Sequence, residues 1–369
     1  MLTQIHSCSQ DVLLDAFRFT IRNNGNCMVF GPAGSGKTQM AMQAATECDY
    51  RHVYIDLSVL EAPDFVGLPT LSEDRKFVKY ATPEFMPCTD TAGDAKPVVM
   101  IFDEVDKSKP ELQHPLLEIL LEHSINGRKL NMQAAILTGN LPDEGAFSQP
   151  VSHALTNRCM VFKLEPNFES WQTWAVRAGI NPLVVGFLSR NPEFLQMPAP
   201  EGDPTAYCHP SARSWSMAAK DLDRAQDQNT TFQTMLVSGR VGTGAAAKFR
   251  VWLEHYRHIE PMVDKLVKDG THPPDMSIDK LIVCAISATG AIAGECRKQD
   301  ATKGGKKDKD KVHKIAANVM GWLSKVDTEF QIAAVKNSLD MELIRDWELV
   351  KAKGFMDVIH RTHSVLKGK

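Results

Sequence analysis

The sequence has little charge imbalance and lacks the cysteine patterns of metal-stapled or disulfide-rich proteins. Its 369 residues carry a formal net charge of −3, which gives no global electrostatic case for binding nucleic acid or a membrane surface. Its eight cysteines form no C-x-x-C pair, so neither a zinc site nor a disulfide framework is indicated. We therefore expect a reducing, cytoplasmic environment.

Signals for membrane targeting are also absent. The N-terminus has no basic segment followed by an apolar one, as a secretory signal would have. The most apolar of the long uncharged runs, Leu281 to Gly294, is shorter than the ~20 residues of a spanning helix and is rich in small residues. We interpret this run as a packed helix and expect no membrane association.

The sequence does contain a complete phosphate-binding pattern, G-x-x-x-x-G-K-[ST]. It consists of Gly31, Pro32, Ala33, Gly34, Ser35, Gly36, Lys37 and Thr38. Small or apolar residues precede it as in a buried strand, and apolar residues at helical spacing follow it. In this context the backbone N–H groups surround phosphates, Lys37 reaches the terminal phosphates and Thr38 ligates Mg²⁺. The alternative is an ordinary glycine-rich turn.

Up to about residue 165, predicted strands alternate with predicted helices, which indicates a doubly wound parallel sheet. A helix is predicted over 11–22, and strands are predicted over 27–30, 52–56, 97–102, 134–138 and 159–164, of which 97–102 has the apolar sequence of a strand buried on both faces. Ser108 and Glu111 suggest a capping box for the helix after the third of these strands. Pro115 predicts a kink or break in that helix, and Asn126-Gly127 predicts a tight hairpin turn.

Two further regions stand apart from this alternation. The segment from about 58 to 95 is too long for a simple connection, and its aromatic residues argue against disorder, so we expect it to be functional. After residue 165 the chain reads as helices, with breaks near 269–274 and 299–311. The second break carries Lys303, Lys306, Lys307, Lys309 and Lys311, which we interpret as a solvated loop rather than a phosphate-binding patch.

Hydrolysis requires a positioned metal and an activated water in addition to a phosphate-binding loop. Asp103 and Glu104 follow the buried strand 97–102, where Asp103 would help to hold Mg²⁺ and Glu104 would deprotonate the attacking water. Two solvated acids at a strand end are the alternative. Asn140 also follows a strand and suits a contact with the γ-phosphate or the water, although an Asn after Gly is more often a turn residue.

In this order the motifs resemble those of AAA+ ATPases, and within them the MoxR-type family with its phage and prophage versions. The resemblance covers about residues 1–250: residues 31–38 as Walker A, 98–104 as Walker B, Asn140 as sensor 1, Arg158 as the arginine finger and Arg213 as sensor 2. At the finger, Asn157 and Cys159 stand where the family often has an acidic residue and a Phe.

The resemblance implies an α/β core with a parallel five-stranded sheet and helices on both faces over residues 1–165. It implies a helix-2-type insert at about 58–95, with a hairpin and its exit over 77–85. A helical lid carrying sensor 2 would follow over 166–255, and a helical C-terminal extension over 256–369. It also implies a ring, usually hexameric, in which Arg158 acts on the nucleotide of the neighbouring subunit and Arg213 acts within its own.

The favoured hypothesis is an ATPase that binds ATP and Mg²⁺ and remodels or loads a protein in a chaperone-like way. By resemblance, its partner would carry a von Willebrand factor A domain. A DNA-directed motor or loader in phage replication or packaging is the alternative, and the net charge of −3 and the lack of a nucleic-acid-binding motif argue against it. A nucleotide switch that does not hydrolyse ATP is disfavoured because Lys37, Glu104, Asn140 and Arg158 are all present.

Overall fold

The computed structural model describes residues 5–92, 95–141, 149–198, 207–300 and 307–366. The chain divides into two compact units, Met1–Asn167 and Phe168–Lys369. The described part of the first unit is α/β, and that of the second consists of helices and loops.

The described part of the first unit has ten strands and six helices. The strands are β1 (His6–Cys8), β2 (Asn26–Phe30), β3 (Arg51–Asp56), β4 (Leu68–Leu71), β5 (Val78–Ala81), β6 (Val98–Asp103), β7 (Ser124–Ile125), β8 (Arg128–Lys129), β9 (Met132–Gly139) and β10 (Met160–Leu164). The helices are α1 (Gln10–Arg22), α2 (Lys37–Glu47), α3 (Ala62–Val66), α4 (Thr89–Ala92), α5 (Pro110–Glu122) and α6 (His153–Thr156).

Six of these strands form one sheet in the order β1-β10-β2-β9-β6-β3, and all of its strand pairs are parallel. The five strands predicted from apolar runs are present. The sheet has one strand more than the predicted five, because His6–Cys8 pairs with β10 at the sheet edge. The parallel order places the carboxyl ends of β2, β3, β6 and β9 along one edge, where ligands bind in open α/β sheets.

The central strands are buried on both faces, as their continuous apolar sequences predict. On one face, alternate residues such as Val29 and Ile101 pack against Leu13 and Phe17 of α1 and Ala44 of α2. On the other face, residues such as Met100 and Phe102 pack against Leu116 of α5 and Phe65 of α3. The period of two along each strand thus divides the core between two helical layers.

Helix α5 corrects two predictions. It begins at Pro110 and not at Ser108, whose hydroxyl donates to the carbonyl of Val105, so the predicted capping box with Glu111 does not form. Proline suits the first turn of a helix because an N–H there has no intrahelical partner. The helix then continues through Pro115 to Glu122, so the predicted break does not occur.

The predicted turn at Asn126-Gly127 is confirmed. Both residues have positive φ, 50° and 74°, and they join β7 to β8 as a two-residue hairpin. The carboxylate of Glu118 on α5 accepts the N–H groups of Asn126 and Gly127 at 3.2 and 3.1 Å, which satisfies the turn.

The insert between β3 and β6 is also a hairpin. Strands β4 and β5 pair antiparallel, from Leu68 opposite Ala81 to Leu71 opposite Val78. All eight residues of the two strands are exposed. Below this hairpin the insert is anchored by Phe65, which is fully buried and packs edge-on against Phe102 with ring centroids 6.2 Å apart.

The described part of the second unit contains ten helices. They are α7 (Phe168–Arg177), α8 (Pro182–Arg190), α9 (Ala212–Arg224), α10 (Thr230–Val241), α11 (Thr243–Asp269), α12 (Ile278–Asp300), α13 (Lys309–Leu323), α14 (Thr328–Ser338), α15 (Met341–Asp346) and α16 (Phe355–Leu366). All ten contribute to one hydrophobic core. No helix in the described ranges is both long and apolar enough to cross a membrane.

Two features of this unit bear on the predicted domain boundaries. The predicted break near 269–274 begins where α11 ends, at Asp269. The predicted break near 299–311 begins where α12 ends, at Asp300, but Lys309 and Lys311 belong to α13, so that part of the predicted loop is helical. The predicted boundary at residue 255, however, falls inside the continuous helix α11, and the residues on both sides of it share one core. The division into a lid and a C-terminal extension therefore stays a prediction.

Candidate active site

The phosphate-binding pattern forms the loop between β2 and α2. Gly34 and Gly36 have φ of 73° and 94°, a region that glycine enters at little cost, and Gly36 immediately precedes α2. Gly31 is required for a different reason, since a Cβ there would lie 2.9 Å from the Cβ of Leu164 on β10. The loop thus places the amino end of α2, with the N–H groups of its first turn, at the carboxyl ends of the strands.

Lys37 reaches back across this loop. Its side chain is buried, and Nζ donates to the carbonyl oxygens of Gly31 and Pro32 at 2.7 and 2.9 Å. Nζ also donates to Oδ1 of Asn140 at 3.1 Å, at the end of β9. The ammonium group is therefore held inside the loop, at the position where phosphate oxygens would bind.

Asp103 collects hydroxyl groups from three elements. Its Oδ2 accepts from Thr38 at 2.9 Å and from Tyr54 of β3 at 3.2 Å, and its Oδ1 accepts from Thr138 of β9. Burial and the neighbouring Asp103 carboxylate raise the pKa of Tyr54 to about 12, so its phenol remains a donor at neutral pH. A carboxylate and a hydroxyl offer the hard oxygen ligands that Mg²⁺ prefers, so Thr38 and Asp103 fit a magnesium ion.

Glu104 occupies the left-handed region, with φ 56° and ψ 41°. For a residue with a side chain this conformation is uncommon, and it marks positions where the surroundings fix the backbone. One carboxylate oxygen of Glu104, Oε2, accepts from Nδ2 of Asn140 at 2.9 Å and forms an ion pair with Nζ of Lys107 at 2.6 Å. This pairing with Glu104 raises the pKa of Lys107, although partial burial opposes the shift.

Asn140 connects the phosphate-binding loop to Glu104. Its side-chain oxygen accepts from Lys37 and its side-chain nitrogen donates to Glu104. Its own N–H donates to Oδ1 of the buried Asp106 at 2.9 Å. The structure therefore brings together Lys37, Thr38, Asp103, Glu104 and Asn140.

Arg158 lies at the amino ends of the strands of the same sheet, opposite the phosphate-binding loop. Its carbonyl oxygen accepts from Nδ2 of Asn26, the first residue of β2, whereas the phosphate-binding loop comes after the last residue of that strand. The length of β2 separates the two edges by roughly 16 Å. Its Nη1 donates to the carbonyl of Ala154, four residues earlier. Arg158 is thus remote from the loop of its own chain.

Arg213 belongs to the second unit. It is exposed and is the second residue of α9. Ser211 and Ser214 cap the start of this helix reciprocally.

Sequence reasoning missed four polar residues around the site: Tyr54, Asp106, Lys107 and Thr138. Asp106 and Lys107 stand two and three residues after Glu104, so their proximity in the sequence was a usable signal. Tyr54 and Thr138 lie inside strands, where their hydroxyls give no sequence signal of a shared contact with Asp103.

Comparison with known proteins finds a family model that matches most of the first unit. Residues 27–159 match the model of the ATPase family associated with various cellular activities. The first unit contains an AAA domain. The ligand of this AAA domain is ATP with Mg²⁺, and its reaction is the hydrolysis of ATP.

The chain is also remotely similar to individual proteins. Over 96 residues the chain is 28% identical to the peroxisomal ATPase PEX6 of Arabidopsis thaliana, which is 26% of this chain but only 9% of that protein. Among solved structures, NtrX from Brucella abortus aligns with a TM-score of 0.36 and 16% identity, covering 61% of this chain and 52% of NtrX. A putative ATPase from Cytophaga hutchinsonii aligns with a TM-score of 0.33 and 15% identity, covering 98% of this chain and 89% of the other. Structural similarities at this level carry no argument about this chain.

Proposed function

We propose that this chain is the subunit of an ATP-driven ring, similar to the MoxR-type ATPases of phage and prophage genomes, that remodels or loads a protein partner. The observation that carries the proposal is the exposed hairpin β4–β5, which belongs to the same unit as the nucleotide site. The ring would be hexameric, and its partner would be a protein, for example one with a von Willebrand factor A domain.

In the catalytic step, the side chains divide the work by charge. Lys37 would neutralise the terminal phosphates, while Thr38 and Asp103 would hold Mg²⁺, which stabilises negative charge on the phosphate oxygens. Glu104 would accept a proton from the attacking water, and Asn140 would orient that water or the γ-phosphate. Both contacts of Glu104 use Oε2, so its other oxygen, Oε1, would accept the proton while Oε2 stays paired with Lys107 and Asn140.

The position of Arg158 supports a ring. An arginine at the amino edge of the sheet cannot reach a nucleotide at the carboxyl edge of its own chain, but a neighbouring subunit can present its nucleotide to that edge. Arg158 would then be the arginine finger in trans, and Arg213 would contact the nucleotide of its own subunit.

The hairpin has the composition of a protein-binding surface. Phe77 is 66% exposed and Tyr80 is 43% exposed, and Leu68, Leu71 and Val78 beside them are at least 58% exposed. Apolar side chains gathered on one projecting element mark interaction sites rather than core packing. Beneath the hairpin, Phe65 rests on Phe102, one residue before Asp103, so movement at the nucleotide site has a packed route to the insert.

The charges of the second unit do not favour the DNA-directed alternative. Lys307, Lys309 and Lys311 form ion pairs with Asp300, Glu348 and Glu295 at 2.6, 2.6 and 2.7 Å. An ammonium group that is paired with a carboxylate attracts a phosphate backbone less strongly. Lys303 and Lys306 lie outside the described residues.

The test is the double variant Phe77→Ala with Tyr80→Ala, assayed for ATPase activity with casein as an unfolded protein, with a purified von Willebrand factor A domain, and with duplex DNA. We expect protein to stimulate the wild type and the double variant to lose this stimulation, with melting temperature, ring assembly and basal turnover unchanged. Val12→Ala with Phe19→Ala on α1 is the matched control, because these side chains are 51% and 59% exposed but lie off the hairpin. Stimulation by DNA alone would favour the DNA-directed motor instead.

A further inference from the structure

Asp106 is a buried carboxylate beside the candidate active site. It lies in a 3-10 turn, Val105–Lys107, directly after Glu104, and it is 2% exposed. Its Oδ1 accepts the backbone N–H of Asn140 at 2.9 Å. Its Oδ2 is also buried, and no donor for it is found among the residues that the structure describes.

A carboxylate in this position is costly for the fold. An oxygen that is buried without a donor loses its hydrogen bonds to water with no replacement. A neutral acceptor would satisfy the N–H of Asn140 at lower cost. The backbone of β9 also approaches this carboxylate closely, since a Cβ at Gly139 would lie 3.0 Å from Oδ1.

The hydrogen bond from the N–H of Asn140 to Asp106 fixes the backbone position from which the Asn140 side chain extends. Both ends of that side-chain amide are engaged, the oxygen by Lys37 and the nitrogen by Glu104. With the backbone N–H fixed by Asp106, the amide is held between the phosphate-binding loop and the general base. The same turn also supplies Lys107, which pairs with Glu104.

We propose that Asp106 is a positioning residue for ATP hydrolysis, acting through the backbone of Asn140. The proposal rests on the roles of Asn140 and Glu104 in the proposed function. A displacement of a reacting group by about 1 Å lowers the rate on the order of 100-fold. We therefore expect loss of this one hydrogen bond to lower turnover by a large factor.

The experiment is a double-mutant cycle on kcat, because the variant Asn140→Ala keeps the N–H that Asp106 binds. Asp106→Ala, Asn140→Ala and the double variant are compared for kcat, for ATP affinity and for melting temperature. We expect Asp106→Ala to lower kcat at least about tenfold while ATP affinity stays within about threefold. In the Asn140→Ala background, Asp106→Ala should cause no further fall in kcat. It should lower the melting temperature by the same amount as it does in the wild-type background.

Two further variants separate positioning from folding. Asp106→Asn keeps an acceptor for the N–H of Asn140 and removes the unpaired charge, so it should retain kcat within about threefold and melt no lower than the wild type. Gly139→Ala adds a Cβ 3.0 Å from Oδ1 and from Cγ1 of Val105, so it should lower kcat even if Asp106→Ala does not fold.

The outcomes are distinguishable. The proposal fails if Asn140→Ala lowers kcat but Asp106→Ala lowers kcat by the same factor in the wild type and in Asn140→Ala. In that case Asp106 acts independently of Asn140. The proposal also fails if Asp106→Asn is as slow as Asp106→Ala, or if Asp106→Ala and Gly139→Ala both keep the wild-type kcat. If Asn140→Ala itself hydrolyses ATP at the wild-type rate, the role of Asn140 in the proposed function is wrong, and the positioning role falls with it.

Discussion

The ammonium nitrogen of Lys37 lies 3.1 Å from Oδ1 of Asn140, which links the phosphate-binding loop to the end of β9. Through the nitrogen of the same amide, the link continues to Glu104 at 2.9 Å. Phosphate oxygens would compete with Oδ1 of Asn140 for the ammonium group. Binding of ATP would therefore loosen the contact of Asn140 with Lys37, and this offers a physical route from nucleotide binding to the general base.

The first prediction separates binding from turnover. Lys37→Ala removes the charge that neutralises phosphate, so we expect it to abolish productive ATP binding. Glu104→Gln keeps the shape of the side chain but cannot accept a proton, so we expect normal binding and no turnover. Equilibrium ATP binding and phosphate release, measured on both variants, check this. Full hydrolysis by Glu104→Gln would remove Glu104 from the role of base.

The second prediction is that Arg158 works in trans. Mixed rings of Arg158→Ala and Lys37→Ala subunits should recover ATPase activity that neither parent shows, because some interfaces then pair an intact loop with an intact finger. Arginine fingers contribute ~10³–10⁵ in rate, so the recovery should be measurable. Arg22→Ala, which removes an exposed arginine from α1, is the control for loss of a positive charge.

Subunit exchange must be shown separately, by mixing two differently labelled wild-type populations. If labels exchange and mixed rings stay inactive, either the finger acts within its own chain or another arginine serves. The first of these outcomes would contradict the position of Arg158 at the amino edge of the sheet, beside Asn26.

Much of the fold was predictable because its central strands are buried on both faces. Continuous apolar runs such as 98–102 have few alternatives to a buried strand, and the glycine-rich pattern after 27–30 predicts a phosphate-binding loop and then a helix. Strand β1 escaped prediction because its three residues include a histidine and a serine and carry no periodicity; it forms by pairing with the edge of β10. At α5, two helix-start signals competed, and Pro110 in the first turn prevailed over a Ser108 cap.

The site was predictable to the extent that its residues belong to local motifs. Lys37, Thr38, Asp103 and Glu104 are read from short patterns, and Asn140 from its place after a strand. The interactions among them depend on strand order, which local patterns do not specify. For this reason the contact of Tyr54 with Asp103, across the pair β3 and β6, was not foreseen.

The third prediction concerns Lys107. Its ion pair with Glu104 restricts movement of that carboxylate toward the attacking water, so we expect Lys107→Met to raise basal kcat. A partly exposed ion pair contributes at most about 1 kcal/mol, which corresponds to a rate increase of up to about fivefold. Lys109→Met is the matched control, because Lys109 pairs with Glu61 and not with the site. A fall in kcat for Lys107→Met would show instead that the lysine assists the reaction.

The last prediction tests the base of the hairpin through Gly67. This residue ends α3 with φ 95°, and a Cβ there would lie 2.2 Å from the carbonyl oxygen of Ala81, opposite the first residue of β4. Gly67→Ala therefore combines an unfavourable backbone conformation with a clash against backbone that has no rotamer to change. We expect destabilisation by more than about 1 kcal/mol, displacement of the hairpin and loss of stimulation by protein, with ATP binding retained.

Gly239→Ala is the control for that change. Gly239 lies within α10, and a Cβ there would meet no atom within 4 Å, so the same substitution should stabilise the protein by about 0.5–1 kcal/mol. Melting temperatures report the two directions, and hydrogen exchange of residues 68–81 reports whether the effect of Gly67→Ala is confined to the hairpin. If Gly67→Ala has the melting temperature and the hydrogen exchange of the wild type, the pairing of β4 with β5 tolerates a shift at its base. In that case Gly67 does not set the position of the hairpin.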